Sequence, residues 1–217
     1  MNGYFITGTG TGVGKTYVTA AIARTARAAG QRVFAFKPIE TGCSRCDGVL
    51  VGSDQMILCE AAGNWQTGLL RGVYQFEPPV APAVASPTID LERIHRVFLE
   101  GTSHADLTLV EGAGGWRVPI TKTADMSTLA RACGLPVIVV ATATLGTINH
   151  SLLTLEAVER DGLTVAALVL SRQPSDDPDV AATNARVIKT SWSGRVLVYS
   201  GSENLAAFHV QHVPRET

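Results

Sequence analysis

Residues 4–16 read Y-F-I-T-G-T-G-T-G-V-G-K-T, an apolar run followed by a turn rich in glycine and threonine. The apolar run at 4–6 is typical of a β-strand, and residues 17–29 are predicted to form a helix. A strand, a glycine turn and a helix in this order are the context of a phosphate-binding loop, because glycines let backbone N–H groups approach an anion. Lys15 would then reach the outer phosphates of a nucleotide, and the Thr16 hydroxyl would bind Mg²⁺.

The turn differs from the common phosphate-loop pattern at one position. The usual motif has a glycine five residues before the glycine of G-K-[ST], and here that position holds Thr9. The nearest upstream glycines are Gly8 and Gly10, so the loop is a variant. A flexible glycine turn before an ordinary helix is the alternative interpretation, and the G-V-G-K-T run directly behind a strand disfavours it.

The bulk composition bounds the class of protein. The chain has 217 residues, enough for one sizeable core, and we expect residues 1–217 to form a single domain. Its 18 basic and 19 acidic residues argue against nucleic acid or an anionic membrane as the main partner. No apolar stretch reaches the length of a membrane span, and the start, M-N-G-Y-F-I-T-G, lacks the basic region of a signal peptide. We therefore expect a cytoplasmic protein.

Four cysteines are present, and two of them, Cys43 and Cys46, form one C-x-x-C pair in a predicted loop. No second pair stands at the spacing of a zinc site, and a redox role would need a thioredoxin-like context. Free thiols are therefore the expected state, as is usual in a reducing compartment.

Beyond the loop, predicted strands and helices alternate almost to the end of the chain. Short runs rich in Val, Ile and Leu are predicted strands, and the amphipathic segments between them are predicted helices. The strands lie at 32–36, 107–110, 135–141, 163–170 and 196–199, and the helices follow Ser53 and span 90–99, 127–133, 150–160 and 180–190. This alternation indicates a mostly parallel sheet covered on both faces, a doubly wound α/β domain with the P-loop NTPase fold.

Residues 63–87 are the least regular part of the chain. Their run F-E-P-P-V-A-P-A-V-A-S-P carries four prolines, which argue against a central strand or helix. A long irregular segment in a compact domain is either functional or a surface excursion, and both interpretations stay open.

Polar residues follow the predicted strands at the places where ligands of doubly wound sheets bind, the carboxyl ends of the strands. Lys37 follows the second strand, Glu111 the third, residues 142–149 the fourth and Ser171 the fifth. The predicted phosphate loop at the end of the first strand would lie beside them. We therefore expect one site at this edge of the sheet.

Glu111 stands where a P-loop enzyme places an acidic group near Mg²⁺, and Asp54 would add a further oxygen ligand. Lys37 would stabilise the negative charge that develops during phosphoryl transfer. Each residue also has an ordinary interpretation. Glu111 and Lys37 could be solvated residues at strand ends, and Asp54 could be a carboxylate that the dipole of its helix favours. The G-A-G-G run after Glu111 allows close backbone approach and favours the functional interpretation.

Five motifs taken together resemble dethiobiotin synthetase, an enzyme family of biotin biosynthesis. They are Y-F-I-T-G-T-G-T-G-V-G-K-T, F-K-P-I-E-T-G, S-D, V-E-G-A-G-G-W-R-V-P and L-G-T-I-N-H-S-L-L-T, and they match in order and spacing over 4–170. The resemblance implies an ATP-dependent, Mg²⁺-dependent ring closure. In it, 7,8-diaminononanoate and CO₂ form dethiobiotin through a carbamate and a carbamic–phosphoric anhydride, with release of ADP and phosphate.

The resemblance also implies roles for individual residues. Those expected in catalysis are Lys37, Lys15 and Thr11, and those expected to hold Mg²⁺ are Thr16, Asp54 and Glu111. The residues expected to bind the nucleotide are Gly12, Val13, Gly14, Lys15, Thr16, Tyr17, Asp54, Glu111, Gly112, Ala113, Gly114, Ser171 and Arg172. The substrate would contact Thr41, and its carboxylate would bind the helix start at Thr147, Ile148 and Asn149. Because this helix start lies near a dimer interface in the family, we expect a homodimer.

Three departures from the family pattern bear on the site, the first on the loop and the substrate and the other two on the base pocket. Gly10 and Gly12 stand where many members have acidic residues. Ser171, followed by Arg172 and Gln173, replaces an asparagine that recognises adenine, and V-Y-S-G replaces the usual I-P near the last strand. Use of ATP or of another nucleoside triphosphate is therefore left open, and the last forty residues carry the resemblance least.

Two other classes of protein share parts of this pattern. A partner-controlled positioning ATPase of the deviant P-loop type would carry a lysine early in the loop, where this chain has Gly10. Such proteins also commonly carry an amphipathic or basic membrane element, which is not visible here. An ATP ligase linked to glutamine amidotransfer, related to cobyrinate amidation, would need a glutaminase domain for which 217 residues leave no room.

Overall fold

The structure, a computed structural model, describes residues 1–201, 205 and 208. Strands and helices alternate along most of it. In chain order they are β1 (Gly3–Gly8), α1 (Lys15–Ala28), β2 (Val33–Phe36), β3 (Ile39–Thr41), β4 (Ser44–Cys46), β5 (Val49–Val51), α2 (Ser53–Ala61), β6 (Tyr74–Phe76), α3 (Pro82–Ala85), α4 (Leu91–Ser103), β7 (Leu107–Gly115), α5 (Met126–Cys133), β8 (Val137–Thr142), α6 (Thr147–Arg160), β9 (Val165–Ser171), α7 (Pro178–Ser191) and β10 (Val196–Tyr199).

Six of the strands form the central sheet, in the order β10-β9-β8-β1-β7-β2. Each neighbouring pair in it is parallel. The carboxyl ends of the strands therefore meet at one edge, and β1, which leads into the glycine loop, lies between β8 and β7. This places the loop at the middle of the edge where a doubly wound sheet binds its ligands.

Successive residues of β1 point to opposite faces of the sheet, and each face is covered by its own set of helices. Phe5 belongs to a buried cluster that includes Phe98 of α4 and Leu155 of α6. Ile6 belongs to a second cluster, in which Ile22 of α1 and residues of α2 take part. The predicted doubly wound α/β fold is thus confirmed. Among the helices in the described part of the chain, none combines the length and apolarity needed to cross a bilayer.

Two predicted boundaries near the site are wrong. Strand β7 runs on to Gly115, so Glu111 lies inside the strand and does not follow it. The glycines after Glu111 carry no strand signal of their own. Gly115 still pairs with Gly8 of β1, past an irregularity in the register, and Gly114 takes a φ of 70° within the strand. Helix α6 begins at Thr147, ahead of the predicted start at 150, because Gly146 adopts a left-handed conformation (φ 92°) that begins the helix there.

The proline-rich segment 63–87 contains more structure than its composition indicates. Strand β6 pairs in parallel with β3, outside the central sheet. Helix α3 begins at Pro82, where the missing N–H is not needed because the first residues of a helix have no intrahelical acceptor. The segment therefore forms short elements that flank the sheet, and the prolines did not exclude a helix of this kind.

The C-x-x-C pair lies at an antiparallel hairpin formed by β4 and β5, where the sequence predicted a loop. Cys43 is buried just before the hairpin, and Cys46 is exposed on β4. Both are free thiols, as are Cys59 and Cys133.

Candidate active site

The loop between β1 and α1 forms a compact turn that only glycine permits at several positions. Gly12 and Gly14 have φ angles of 75° and 93°, in the left-handed region that disfavours other residues. A Cβ atom at Gly8 would lie 2.8 Å from the carbonyl oxygen of Gly10. Gly14, which precedes α1, has no side chain to cap the helix, so the first N–H groups of α1 suit an anion.

Lys15 is buried at the start of α1 and folds back over the loop. Its Nζ donates a hydrogen bond to the carbonyl oxygen of Gly10 at 2.9 Å, and the residue is 6% exposed. Burial lowers the pKa of Lys15 to about 8, and the carboxylate of Glu111 opposes that shift. A phosphate at the loop would favour the charged form of Lys15, because its negative charge replaces the stabilisation that the buried ammonium has lost from water.

Lys37, at the end of β2, links the two acidic residues that the sequence analysis singled out. Its Nζ donates to Oε1 of Glu111 at 2.9 Å and also contacts Oδ2 of Asp54. Both Lys37 and Glu111 are buried, whereas the Asp54 side chain is 34% exposed. Burial alone lowers the pKa of Lys37, but the carboxylates of Glu111 and Asp54 outweigh it and raise the pKa above its ordinary value.

Glu111 also accepts two hydroxyl hydrogen bonds from α1. Thr16 Oγ1 donates to its Oε1 at 2.7 Å, and Thr19 Oγ1 lies 2.9 Å from its Oε2. The sequence analysis missed Thr19, although its spacing of three residues from Thr16 places both hydroxyls on one face of the helix. The buried carboxylate therefore has a partner for each oxygen.

The oxygen atoms of Thr16, Asp54 and Glu111 form a donor set that suits Mg²⁺. All three are hard ligands, and two carboxylates with one hydroxyl leave coordination positions for water and nucleotide phosphate, as Mg²⁺ prefers. Within the residues that the structure describes, no group of three or more His, Cys, Asp or Glu side chains is arranged to hold a metal ion by itself. The residues present thus fit a metal shared with a nucleotide better than a metal held by protein alone.

A cavity of about 310 Å³ opens beside the loop and brings most of the predicted residues together. Its lining consists of Thr11, Gly12, Gly14, Lys15, Thr16, Tyr17, Lys37, Thr41, Asp54, Ala113 and Gly114. Loop, strand end and helix start, which are far apart in sequence, therefore face one volume. The predicted residues that do not line this cavity are Val13, Glu111, Gly112, Ser171, Arg172, Thr147, Ile148 and Asn149.

Ser171 lies at the end of β9 and packs directly on the glycine loop. It is 2% exposed, and a Cβ atom at Gly14 would lie 2.3 Å from its Oγ. Among the described residues, that hydroxyl has no hydrogen-bond partner. Close by, the rings of Tyr17 and Tyr199 lie 5.2 Å apart, and the backbone N–H of Arg172 donates to the carbonyl oxygen of Tyr199. Tyr199 belongs to the divergent V-Y-S-G segment, where its aromatic ring was the only signal of this contact.

Thr147, Ile148 and Asn149 form the first turn of α6, whose preceding residue Gly146 supplies no side-chain cap. Thr147 is buried, and its hydroxyl shares a hydrogen bond with that of Ser151 at 3.4 Å. The groups at this helix start that suit an anion are therefore backbone N–H groups.

The fold and the site define the class of this protein. A parallel sheet whose central strand leads into a glycine loop, a lysine and a threonine at a helix start has the P-loop NTPase fold. Solved structures with this fold are similar to it: MinD cell division protein of Aquifex aeolicus (TM-score 0.57, 15% identity, covering 96% of this chain and 86% of that one) and a ParA family ATPase from Chlorobium tepidum (TM-score 0.56, 13% identity, covering 95% and 87%). At these identities the likeness shows the fold alone.

Sequence comparison then identifies the family. A family described as AAA domain matches residues 2–201. ATP-dependent dethiobiotin synthetase BioD of Thermodesulfovibrio yellowstonii is 42% identical over 199 residues, which cover 86% of this chain and 83% of that protein. The protein of the same name from Anaeromyxobacter dehalogenans is 42% identical over 194 residues, covering 87% and 85%. The chain belongs to the dethiobiotin synthetase family.

Proposed function

We propose that this chain catalyses the ATP-dependent formation of dethiobiotin from 7,8-diaminononanoate and CO₂, releasing ADP and phosphate. The observation that carries the proposal is the 42% identity to a dethiobiotin synthetase over 86% of the chain. The cavity beside the glycine loop supports it, because Lys15, Lys37 and Thr16 are the kinds of group that phosphoryl transfer needs.

The proposed chemistry begins with a carbamate, formed when one amine of the substrate takes up CO₂. A carbamate oxygen bonds to the γ-phosphorus of ATP while the bond to the bridging oxygen breaks and ADP leaves. Lys15 and Lys37 stabilise the negative charge of the carbamate and of the transferring phosphoryl group, since both residues line the cavity. Thr11, at the wall of the same cavity, supplies a hydroxyl donor to these oxygens.

Ring closure follows from the other amine. Its lone pair attacks the carbonyl carbon of the mixed anhydride, phosphate leaves, and the amine gives up its proton as the cyclic urea forms. Thr41 lines the cavity on the side of Lys37 and contacts the substrate near its amines. A fixed position for both amines raises the rate, because the second attack is then intramolecular.

The oxygens of Thr16, Asp54 and Glu111 are proposed to hold Mg²⁺. When bound, it supplies positive charge that neutralises the β- and γ-phosphate oxygens. The protein's own contribution is to hold Glu111, which the Thr16 and Thr19 hydroxyls and the Lys37 ammonium orient.

ATP is the proposed nucleotide, with its triphosphate along Gly12, Val13, Gly14 and the start of α1, and with Gly112, Ala113 and Gly114 of β7 on the opposite side. Tyr17 and the backbone of Arg172 lie near the base in this arrangement. Ser171 acts through its packing on Gly14, because its hydroxyl is buried against the loop.

A homodimer is proposed because the helix start at Thr147, Ile148 and Asn149 does not line the cavity around the loop. A substrate that spans both places needs a further wall. Leu145 is 98% exposed and Leu153 is 58% exposed on the loop and helix that carry this site, and large apolar groups at such positions are typical of a protein contact. The substrate carboxylate would then lie beside the partner subunit.

We also propose a cytoplasmic location.

The deciding experiment measures phosphate release by purified protein with Mg·ATP and bicarbonate, with and without 7,8-diaminononanoate, repeated with CTP and GTP. Release that requires the diamine supports the synthetase, and the nucleotide ranking defines the base preference. Release that ignores the diamine refutes it and favours a positioning ATPase. The MinD and ParA family structures with a similar fold are only 13–15% identical to this chain. Gly10 stands where the deviant P-loop type would carry a lysine.

A further inference from the structure

Glu40 is a buried carboxylate that the mechanism above does not use. It lies on β3, is 4% exposed, and accepts the backbone N–H groups of Asp54 and Gln55, each at 2.9 Å. The hydroxyl of Ser53 lies 3.4 Å from the same carboxylate. These groups form the first turn of α2, and Gly52, which precedes the helix, has no side chain to cap it. Glu40 therefore caps α2 from a different element of the fold.

Glu40 lies so close to the start of α2 that it restricts which residue can stand at position 52. A Cβ atom at Gly52 would lie 2.4 Å from Oε2 of Glu40, so the carboxylate reaches the helix only because that residue is glycine. The negative charge also lies at the positive end of the helix dipole, where it is favourable. Both the glycine at position 52 and the dipole of α2 therefore favour the Glu40 carboxylate at this helix start.

A second buried side chain joins the same helix turn to Lys37. Gln55 is 3% exposed, and its Nε2 donates to the backbone carbonyl of Lys37 at 3.0 Å. Its Oε1 accepts a hydrogen bond from Nε2 of Gln75 at 2.6 Å, which fixes the orientation of the amide. The turn that carries Asp54 is therefore held from one side by Glu40 and from the other by the strand end that carries Lys37.

We propose that Glu40 is a positioning residue for the reaction: by capping α2 from β3 it sets where Asp54 lies relative to Lys37 and the phosphate loop. The inference rests on the proposed function, in which Asp54 holds Mg²⁺ with the nucleotide. Glu40 does not line the cavity and touches no reacting atom; it acts through the backbone of Asp54. Loss of the cap lets the first turn of α2 fray, which moves Asp54 away from the site.

The test compares E40A and E40Q with the wild-type protein in diamine-dependent phosphate release. Loss of a partner that orients a metal ligand typically costs about 10–100-fold in activity or metal affinity. We expect E40A to lower kcat by at least ~10-fold and to raise the Mg²⁺ concentration at half-maximal rate, with the isosteric E40Q intermediate. The matched control is D90A, which removes the side-chain cap of α4 away from the site and should leave kcat and the Mg²⁺ dependence unchanged.

A double-mutant cycle separates positioning from general destabilisation. If Glu40 acts through Asp54, adding E40A to D54A should lower kcat by less than about twofold beyond D54A alone, because coupled residues are not additive. A full additional loss in the double mutant, equal to that of E40A alone, overturns the proposal. So does an E40A enzyme whose kcat and Mg²⁺ dependence match those of D90A.

A measurement that does not need activity keeps the inference distinct from the proposed function. Hydrogen exchange of the Asp54 and Gln55 amides should be faster in E40Q than in the wild type, while exchange in α4 is unchanged. Unchanged protection of those two amides refutes the cap. A wild-type protein without diamine-dependent release would refute the proposed function, and the exchange result would still decide whether Glu40 holds α2.

Discussion

Replacing Lys37 with methionine removes a buried positive charge while keeping an unbranched side chain of similar length. The Lys37 side chain is 7% exposed, and it pairs with Glu111, whose side chain is fully buried, and with Asp54, whose side chain is 34% exposed. Removing one partner of a buried ion pair costs about 3–5 kcal/mol, because the other charge is left without compensation. Water screens Asp54, so most of the cost comes from Glu111.

The lower end of that range is the better expectation for this site. Glu111 keeps the hydroxyl donor of Thr16 when Lys37 is removed. The Thr19 hydroxyl, whose single proton is shared with the Lys15 carbonyl oxygen at 2.8 Å, stays 2.9 Å from the other carboxylate oxygen. We therefore expect K37M to lower the free energy of unfolding by about 3 kcal/mol. For a chain of this size that corresponds to a fall in Tm of roughly 6–12 °C. Adding E111Q should recover more than half of the loss, because the unpaired charge is then gone.

Urea unfolding followed by tryptophan fluorescence measures these differences, since the chain contains three tryptophans. The matched control is K189M, which removes an exposed lysine from the last turn of α7. A K37M protein as stable as K189M refutes the reasoning, and so does a K37M/E111Q protein less stable than K37M.

In the activity assay, K37M should lower kcat by at least ~100-fold, about 2.7 kcal/mol in the barrier, with a much smaller effect on nucleotide affinity. Unchanged turnover would remove Lys37 from the mechanism.

Three further predictions concern the loop and its carboxylate. E111Q should raise the Mg²⁺ concentration needed for half-maximal rate by at least ~10-fold, and an unaltered Mg²⁺ titration would contradict the proposed ligand. Because the pKa of Lys15 in the free protein is about 8 and its charged form binds phosphate, ATP affinity should fall up to about tenfold between pH 7 and pH 9. Calorimetric titration would measure the affinity at each pH, and K15A should remove its pH dependence. An ATP affinity of the wild type that does not change with pH would contradict the prediction. G14A should destabilise the fold by more than about 2 kcal/mol, since alanine meets both a left-handed backbone and the Ser171 hydroxyl at 2.3 Å. The control is G30A, because Gly30 has a similar φ of 83° and open space around it, so alanine there should cost only the free energy of the left-handed backbone. If urea unfolding shows the same loss of stability for G14A and G30A, the Ser171 contact does not matter.

Much of the architecture was predictable because hydrophobic periodicity and local turn chemistry determine it. The alternation of apolar strands with amphipathic helices predicted the sheet, and the parallel arrangement brings Lys37 to the loop without any local signal joining them. The glycine loop was recognisable because phosphate binding restricts both its residue types and its spacing.

The parts that the sequence did not predict depend on contacts between distant segments. The strand state of the residues after Glu111 comes from pairing with β1, and a G-A-G-G run has no strand propensity of its own. Thr19 reaches Glu111 only because α1 packs beside β7. Likewise, Glu40 read alone is one more acidic residue after a strand, and its role arises where β3 meets the start of α2.

The position of β1 in the sheet sets the order in which the protein can be completed. β1 precedes the other described strands in the chain, yet its neighbours in the sheet are β7 and β8. The N–H of Thr9 at the start of the loop donates to the carbonyl oxygen of Val140. A chain emerging from the ribosome therefore cannot complete the pairing around β1 until residue 140 has appeared. Such pairing over long sequence separations is slow. We therefore expect nucleotide binding to arise late in synthesis, once the sheet has closed around β1.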